Sequence, residues 1–137
     1  MCINIMASQT FIGRKKELAQ LQILHNKQIA SLVVVKGRRR IGKSRLITEF
    51  ASQNKRSKLW SFAGLAPQEG MDAQSQRDHF ARQLALLRKV PPFTFQDWSD
   101  ALQHLALHLR ASDIVLLDEI SWMGDKDPSF IPKLKAW

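Results

Sequence analysis

Gly37, Gly42, Lys43 and Ser44 carry the clearest chemistry in the chain, because together they satisfy the spacing G-x-x-x-x-G-K-S/T within "VVVKGRRRIGKSRLITEF", residues 33–50. Each residue type has a physical reason at its place. Glycines at 37 and 42 allow backbone conformations and a close approach that a side chain would block, so successive N–H groups can converge on phosphate oxygens. Lys43 would place a point charge against the terminal phosphates, and the Ser44 hydroxyl would bind a magnesium ion. At average composition such a match arises at about 4 in 100,000 positions, too rarely for coincidence to explain it in one chain of this size. A phosphate cradle alone hydrolyses nothing, since the metal needs an acidic partner and water needs a base. "IVLLDE", residues 114–119, offers both: Asp118 would hold the ion through water and Glu119 would polarise the attacking water. Buried strands often end in acids, so this run gains weight only because it follows a complete phosphate pattern in a parallel-sheet arrangement.

The elements that must position these residues are legible in the apolar spacing. Residues 14–27 predict a helix with Leu18, Leu21 and Leu24 on one side. "SLVVVKG", residues 31–37, predicts a strand buried on both faces, and a helix is expected from Gly42 to about Gln53. The glycine pattern therefore begins where a strand ends and closes where a helix opens, which is the context the chemistry requires. "KLWSFAG", residues 58–64, predicts a second strand, and Phe80, Leu84 and Leu87 mark a helix from about Ala73 to Lys89, stopped by Pro91 and Pro92. Asp97 is the expected cap of a further helix running to about Arg110, followed by the strand "DIVLLDEI". "FIPKLKAW" at 130–137 predicts one more helix. Strands alternating with helices imply an α/β fold, a parallel sheet flanked by helices in three layers.

Composition narrows the reading further. The chain has 137 residues, 45% of them hydrophobic, enough for one domain with a buried core. Cys2 is the single cysteine, which excludes an internal disulfide and fits a reducing, cytoplasmic setting. The first residues, "MCINIMASQT", contain no basic leader and no run long enough for a signal peptide or a membrane span, so a soluble protein without membrane partners is expected. Residues 1–10 read as an N-terminal extension that need not be ordered, with Met6 a second candidate start, and residues 11–137 as the domain itself. The net charge of +9 is unevenly spread: residues 1–65 carry 13 Lys and Arg against 2 Asp and Glu, residues 66–137 carry 8 against 10. The basic half holds the glycine turn, so its field could serve nucleotide phosphates or a polynucleotide.

"FIGRKKELAQL", "VVVKGRRRIGKSRLITEF", "FQDWSDAL" and "IVLLDEISWM" together resemble the prokaryotic STAND-group ATPases, P-loop proteins related to the AAA+ ATPases, over about residues 11–137. The resemblance implies ATP and Mg²⁺ as ligands, with Phe11, Ile12, Gly13 and Arg14 lining the adenine side. It implies phosphate contacts from Gly37, Arg38, Arg39, Arg40, Ile41, Gly42, Lys43, Ser44 and Arg45, metal binding by Ser44 and Asp118, and catalysis by Lys43 and Glu119. It further implies that the arginine triplet is ordinary in such a turn, so nucleic acid is a conceivable partner but not a required one. No Asn/Thr-Lys-x-Asp signature of guanine recognition occurs, which favours ATP over GTP. Relatives in this group insert a sensor strand between the phosphate-turn strand and the acidic strand, and carry a helical lid. Only 18 residues follow Glu119 here, so the chain reads as the N-terminal part of a longer switch ATPase that signals to effector domains outside this sequence. The two strands are then expected to pair directly or to leave an open slot, either at a cost in stability. The alternatives are a nucleotide-binding fragment without turnover and a basic nucleic-acid-binding module.

His104 and His108 stand at i, i+4, a spacing able to hold zinc, but no Glu follows the first and no third ligand is evident, so solvated helix histidines are expected. Trp60, Trp98, Phe62 and Phe80 occupy apolar periodic positions and are read as core, while Trp122, just past the acidic pair, is read as a residue close to the γ-phosphate or a substrate.

Overall fold

The computed structural model describes residues 2–6, 14–26, 32–36 and 43–137, with side chains described for 18–26 and 45–137. In chain order the elements are β1 (Cys2–Met6), α1 (Arg14–Asn26), β2 (Leu32–Lys36), α2 (Lys43–Gln53), β3 (Leu59–Ala63), α3 (Ala73–Arg88), α4 (Trp98–Ala106), β4 (Ile114–Asp118), α5 (Ile120–Met123) and α6 (Phe130–Ala136). The strands form a sheet in the order β2-β1-β4-β3, and β1 runs parallel to both β2 and β4. The fold is therefore α/β with parallel pairing, as the alternation of apolar runs predicts.

The position of β1 differs from the sequence-based expectation. Cys2–Met6, which the sequence assigns to an extension, stands between β2 and β4, so those strands neither pair directly nor flank a slot. Register is fixed on both sides, Asn4 lying opposite Val34 on one and Leu117 on the other. A five-residue segment gains two rows of hydrogen-bonding partners in that place, which an isolated extension would lack.

Contacts divide the chain into two compact units. The first comprises Met1–Ser61 and Arg110–Asp118. Its core joins Leu21 of α1 and Leu46, Ile47 and Phe50 of α2 to Ile114 and Leu116 of β4, with Leu18, Ala51 and Leu59 packed around them. Leu46, Ile47 and Phe50 are the i, i+1, i+4 stripe that the sequence marks, and its helical period is what lets one face of α2 cover alternate residues of β4. Val115 and Leu117 on the opposite face are buried as well, consistent with a continuous apolar run rather than an alternating one.

The second unit comprises Phe62–Leu109 and Glu119–Trp137. Its core is aromatic: Phe62 stacks on Phe80 at 4.4 Å, Phe80 meets Trp98 edge-on at 5.4 Å, and Trp98 lies 4.5 Å from Phe130. Asp72 caps α3 in a reciprocal box with Ser75, and Asp97 caps α4 by accepting from the Ser99 N–H. Helix α4 ends at Ala106 instead of continuing to Arg110, because His108 and Leu109 close short i→i−3 bonds onto Leu105 and Ala106. Two glutamines of α3, seven residues apart and so on one face, close backbone groups at the end of β3. Gln83 brackets Ala63 (N–H to Oε1 2.8 Å, Nε2 to carbonyl 3.0 Å), and Gln76 does the same for Leu65 at 2.9 and 2.7 Å. No described helix is long and apolar enough to cross a membrane.

Candidate functional site

Residues Phe11, Ile12 and Gly13 and the turn from Gly37 to Gly42 lie outside the described residues. What the structure describes is the frame around that turn. β2 ends at Lys36, and α2 begins at Lys43, so the glycine pattern spans the connection between a parallel strand and the next helix. Lys43 and Ser44 open α2 and Arg45 follows in its first turn, exposed, while Arg14 opens α1. The first turn of α2 contains no acidic residue, so nothing there opposes an anion at the positive end of the helix dipole.

Asp118 is the last residue of β4 and is half-buried. Because β2 and β4 both run parallel to β1, their C-terminal ends emerge at the same edge of the sheet. One strand separates them, two inter-strand steps or about 10 Å. Asp118 comes one residue beyond the level of Asn4 and Lys36 two, so the acid and the start of the glycine turn leave the sheet at nearly equal height. Of the sequence-derived set, unit one thus brings Asp118 and the strand–helix frame of Lys43 and Ser44 to one edge. Glu119 is the first residue of the second segment of unit two.

Glu119 adopts φ 55, ψ 50, the left-handed region that costs a non-glycine residue about 1–2 kcal/mol. Its carbonyl accepts from the N–H groups of Trp122 (3.0 Å) and Met123 (3.2 Å), and Ile120 and Met123 of α5 are buried, which holds the turn in place. Trp122 is half-buried on this short helix. Gly64 lies hard against the same turn: a Cβ there would stand 2.5 Å from the Glu119 carbonyl oxygen and 2.9 Å from the Trp122 Cβ. The sequence offers a signal for Gly64 only in retrospect, a glycine directly after an apolar strand.

Asp113 is a second residue that sequence reasoning passes over. Buried at the start of β4, it accepts from the Lys58 N–H (3.1 Å), the Trp60 indole Nε1–H (3.1 Å) and the Arg110 N–H (3.0 Å). Burial pushes its carboxyl up, but the donated bonds from Arg110, Lys58 and Trp60 outweigh this and hold it below the usual carboxylate range. With the Ile114 N–H donating to the Lys58 carbonyl at 2.9 Å, Asp113 ties the approach to β3 to the start of β4, five residues ahead of Asp118. Its only sequence signal is a polar residue opening an apolar run.

His104 and His108 are adjacent, ring centroids 5.1 Å apart, but no group of three His, Cys, Asp or Glu residues suited to a metal exists among the described residues. His104 packs against Phe93 and Phe95, so it is not merely solvated. The Arg88 guanidinium lies 2.5 Å from His108 Nε2, and since arginine only donates, that nitrogen must accept. Burial, then the Arg88 charge, then His104 hold His108 below the ordinary histidine range, in keeping with a neutral ring.

The chain is similar to an "Uncharacterized ATP-binding protein" of Methanocaldococcus jannaschii, 44% identical over 45 residues that make up 33% of this chain and 76% of the archaeal protein. By that similarity it belongs to the same family as the archaeal protein. No family model matches the chain, and no solved structure matches it.

Proposed function

We propose that this chain binds ATP with Mg²⁺ at the Gly37–Ser44 turn and hydrolyses it as the P-loop module of a STAND/AAA-like switch. The observation that carries this reading is the shared sheet edge: the strand feeding the glycine turn and the strand ending in Asp118 are parallel, at nearly equal height and about 10 Å apart. The similar archaeal protein is described as ATP-binding, which supports the choice of ligand. The donor set fits that ligand, since a helix opening with Lys43 and Ser44, and with no acid in its first turn, suits a polyanion.

Each residue has a role in this reading. Backbone N–H groups of residues 37–44 receive the phosphates, and Lys43 places a permanent cation at the head of α2. Ser44 and Asp118 would hold a magnesium ion at this edge. Magnesium, when bound, offsets charge that develops on the phosphates during transfer. Glu119 holds the attacking water and accepts its proton, and the left-handed turn fixes where its side chain leaves the backbone. Phe11 to Arg14 contact the adenine side, and the change of state passes to effector domains by ordering and relaxing the turn.

The test is a titration with a fluorescent ATP analogue in the presence of Mg²⁺, paired with a phosphate-release assay. Saturable binding that Lys43→Ala weakens by about 100-fold or more is expected, with turnover lost in Glu119→Gln while binding persists. Absence of a saturable signal, or binding indifferent to Lys43→Ala, overturns the reading. Binding with no turnover in the unaltered chain removes the hydrolytic half of it.

A further inference from the structure

At the far end of α2 from Lys43, unit one carries a cleft of about 680 Å³, formed by the end of α1 (His25, Asn26), residues 53–57 and Ser112. These residues end α1 and α2 or precede β3 and β4, so the cleft opens at the N-terminal edge of the strands. α2 has 11 residues and so a length of about 16 Å, which keeps the cleft apart from Lys43.

The lining contains neither an apolar side chain nor a carboxylate. Lys55 and Arg56 project there exposed, and among the described residues neither has an ion-pair partner. An ordinary explanation would be that both cations offset the negative end of α2. Two carbonyls of that end are already occupied, the Asn54 side-chain amide donating to Phe50 at 2.8 Å and the Asn54 N–H to Ala51 at 3.1 Å, and the Ser57 N–H closes the next turn on the Asn54 carbonyl at 2.9 Å. The wall itself is braced, His25 Nε2 lying 3.0 Å from Ser57 Oγ and the ring standing edge-on to buried Phe50 at 5.5 Å. Burial holds His25 below the ordinary histidine range, so it braces without adding charge at neutral pH.

Chemistry selects the occupant. A small metabolite needs apolar walls, and a protein partner needs a buried aromatic or aliphatic anchor; the cleft offers neither. Free cations among Asn and Ser hydrogen-bonding groups match phosphate–sugar backbone contacts, in interfaces that are polar and positive throughout. The balance of 13 Lys and Arg against 2 Asp and Glu over residues 1–65 supplies long-range attraction of the same sign. We propose that this cleft binds the phosphodiester backbone of a polynucleotide without base readout, Lys55 and Arg56 each neutralising one phosphate, at a site separate from the nucleotide turn.

Anisotropy of a fluorescein-labelled DNA duplex, titrated at salt concentrations from about 50 to 200 mM, tests this. The Lys55→Ala/Arg56→Ala double variant should bind more weakly and lower the magnitude of the log-affinity against log-salt slope by about 1.8, since each contact contributes about 0.9. The same variant should keep the wild-type far-ultraviolet circular dichroism and ATP-analogue binding, while Lys43→Ala should leave the duplex slope unchanged. No duplex binding, an unaltered slope in the double variant, or an equal loss in Lys43→Ala overturns the proposal, the last by placing the polymer on the arginine-bearing turn. Two competitors at matched ionic strength decide the ligand. Displacement of the duplex by inorganic phosphate would assign the cleft to a free anion, and displacement by polyglutamate would assign it to an acidic protein; either overturns the polynucleotide.

Discussion

Replacing Asp113 with alanine removes an acceptor that serves three donors, and the consequences can be worked out donor by donor. Trp60 is 3% exposed, so its indole N–H would be left without protein or water and cost about 1–3 kcal/mol. Lys58 and Arg110 are surface residues whose amide N–H groups can recover water, so each loses only the net value of a bond, about 0.5–1.5 kcal/mol. The sum, about 2–6 kcal/mol before any relaxation, is a large part of the 5–15 kcal/mol typical of a domain. Asp113→Asn should cost less, about 1–2 kcal/mol, because its carbonyl oxygen can keep the Trp60 and Arg110 donors while its NH₂ turns to the Lys58 N–H, which loses its bond. Urea unfolding followed by tryptophan fluorescence reads the change as a shift of the midpoint at constant slope. In a Trp60→Phe background the cost of Asp113→Ala should shrink by about 1 kcal/mol or more, since the stranded indole is gone. The pH dependence has a defined sign. The folded carboxyl lies below the usual range, so its contribution is complete above the unfolded value of about 3.9 and is lost as pH falls through the lower folded value. The Asp113→Ala variant should lack this acid limb. An Asp113→Asn protein within about 0.5 kcal/mol of wild type, or a cost unchanged by Trp60→Phe, would refute the account of Asp113 as the tie between β3 and β4.

Gly64→Ala should destabilise by about 1–3 kcal/mol, because its Cβ would meet the Glu119 carbonyl oxygen at 2.5 Å and backbone would have to move; a thermal melt within a degree of wild type would contradict it. A chain started at Met6 lacks most of β1, so β2 and β4 lose their shared partner, and loss of the cooperative circular dichroism melt is expected. Retention of that melt would show that β1 is dispensable to the sheet.

Local elements were legible from one-dimensional spacing. The stripe Leu46, Ile47, Phe50, the apolar runs at β2, β3 and β4, and the cap Asp97 all lie where the sequence puts them, within a residue or two at most ends. So was the order of chemical groups, Lys43 and Ser44 opening a helix and Asp118 and Glu119 closing a strand. These features depend on neighbours three or four positions away, and a helix or strand period records them directly. The glutamine brackets of α3 are partly of this kind: the seven-residue spacing of Gln76 and Gln83 is visible, but what their amides meet is not.

Sequence alone, then, determined the order of the glycine pattern and the acidic pair along the chain, and which helices and strands flank them. Tertiary structure decided their neighbours. It placed Cys2–Met6 between β2 and β4, so that one intervening strand separates Lys36 from Asp118. It also brought the Lys58 and Trp60 donors, more than fifty positions away, onto Asp113, and set Gly64 against the turn of Glu119. Each of these joins residues tens of positions apart. Such contacts form only when the gain from pairing and burial exceeds the entropy of closing the loops between them, and no local period records that balance.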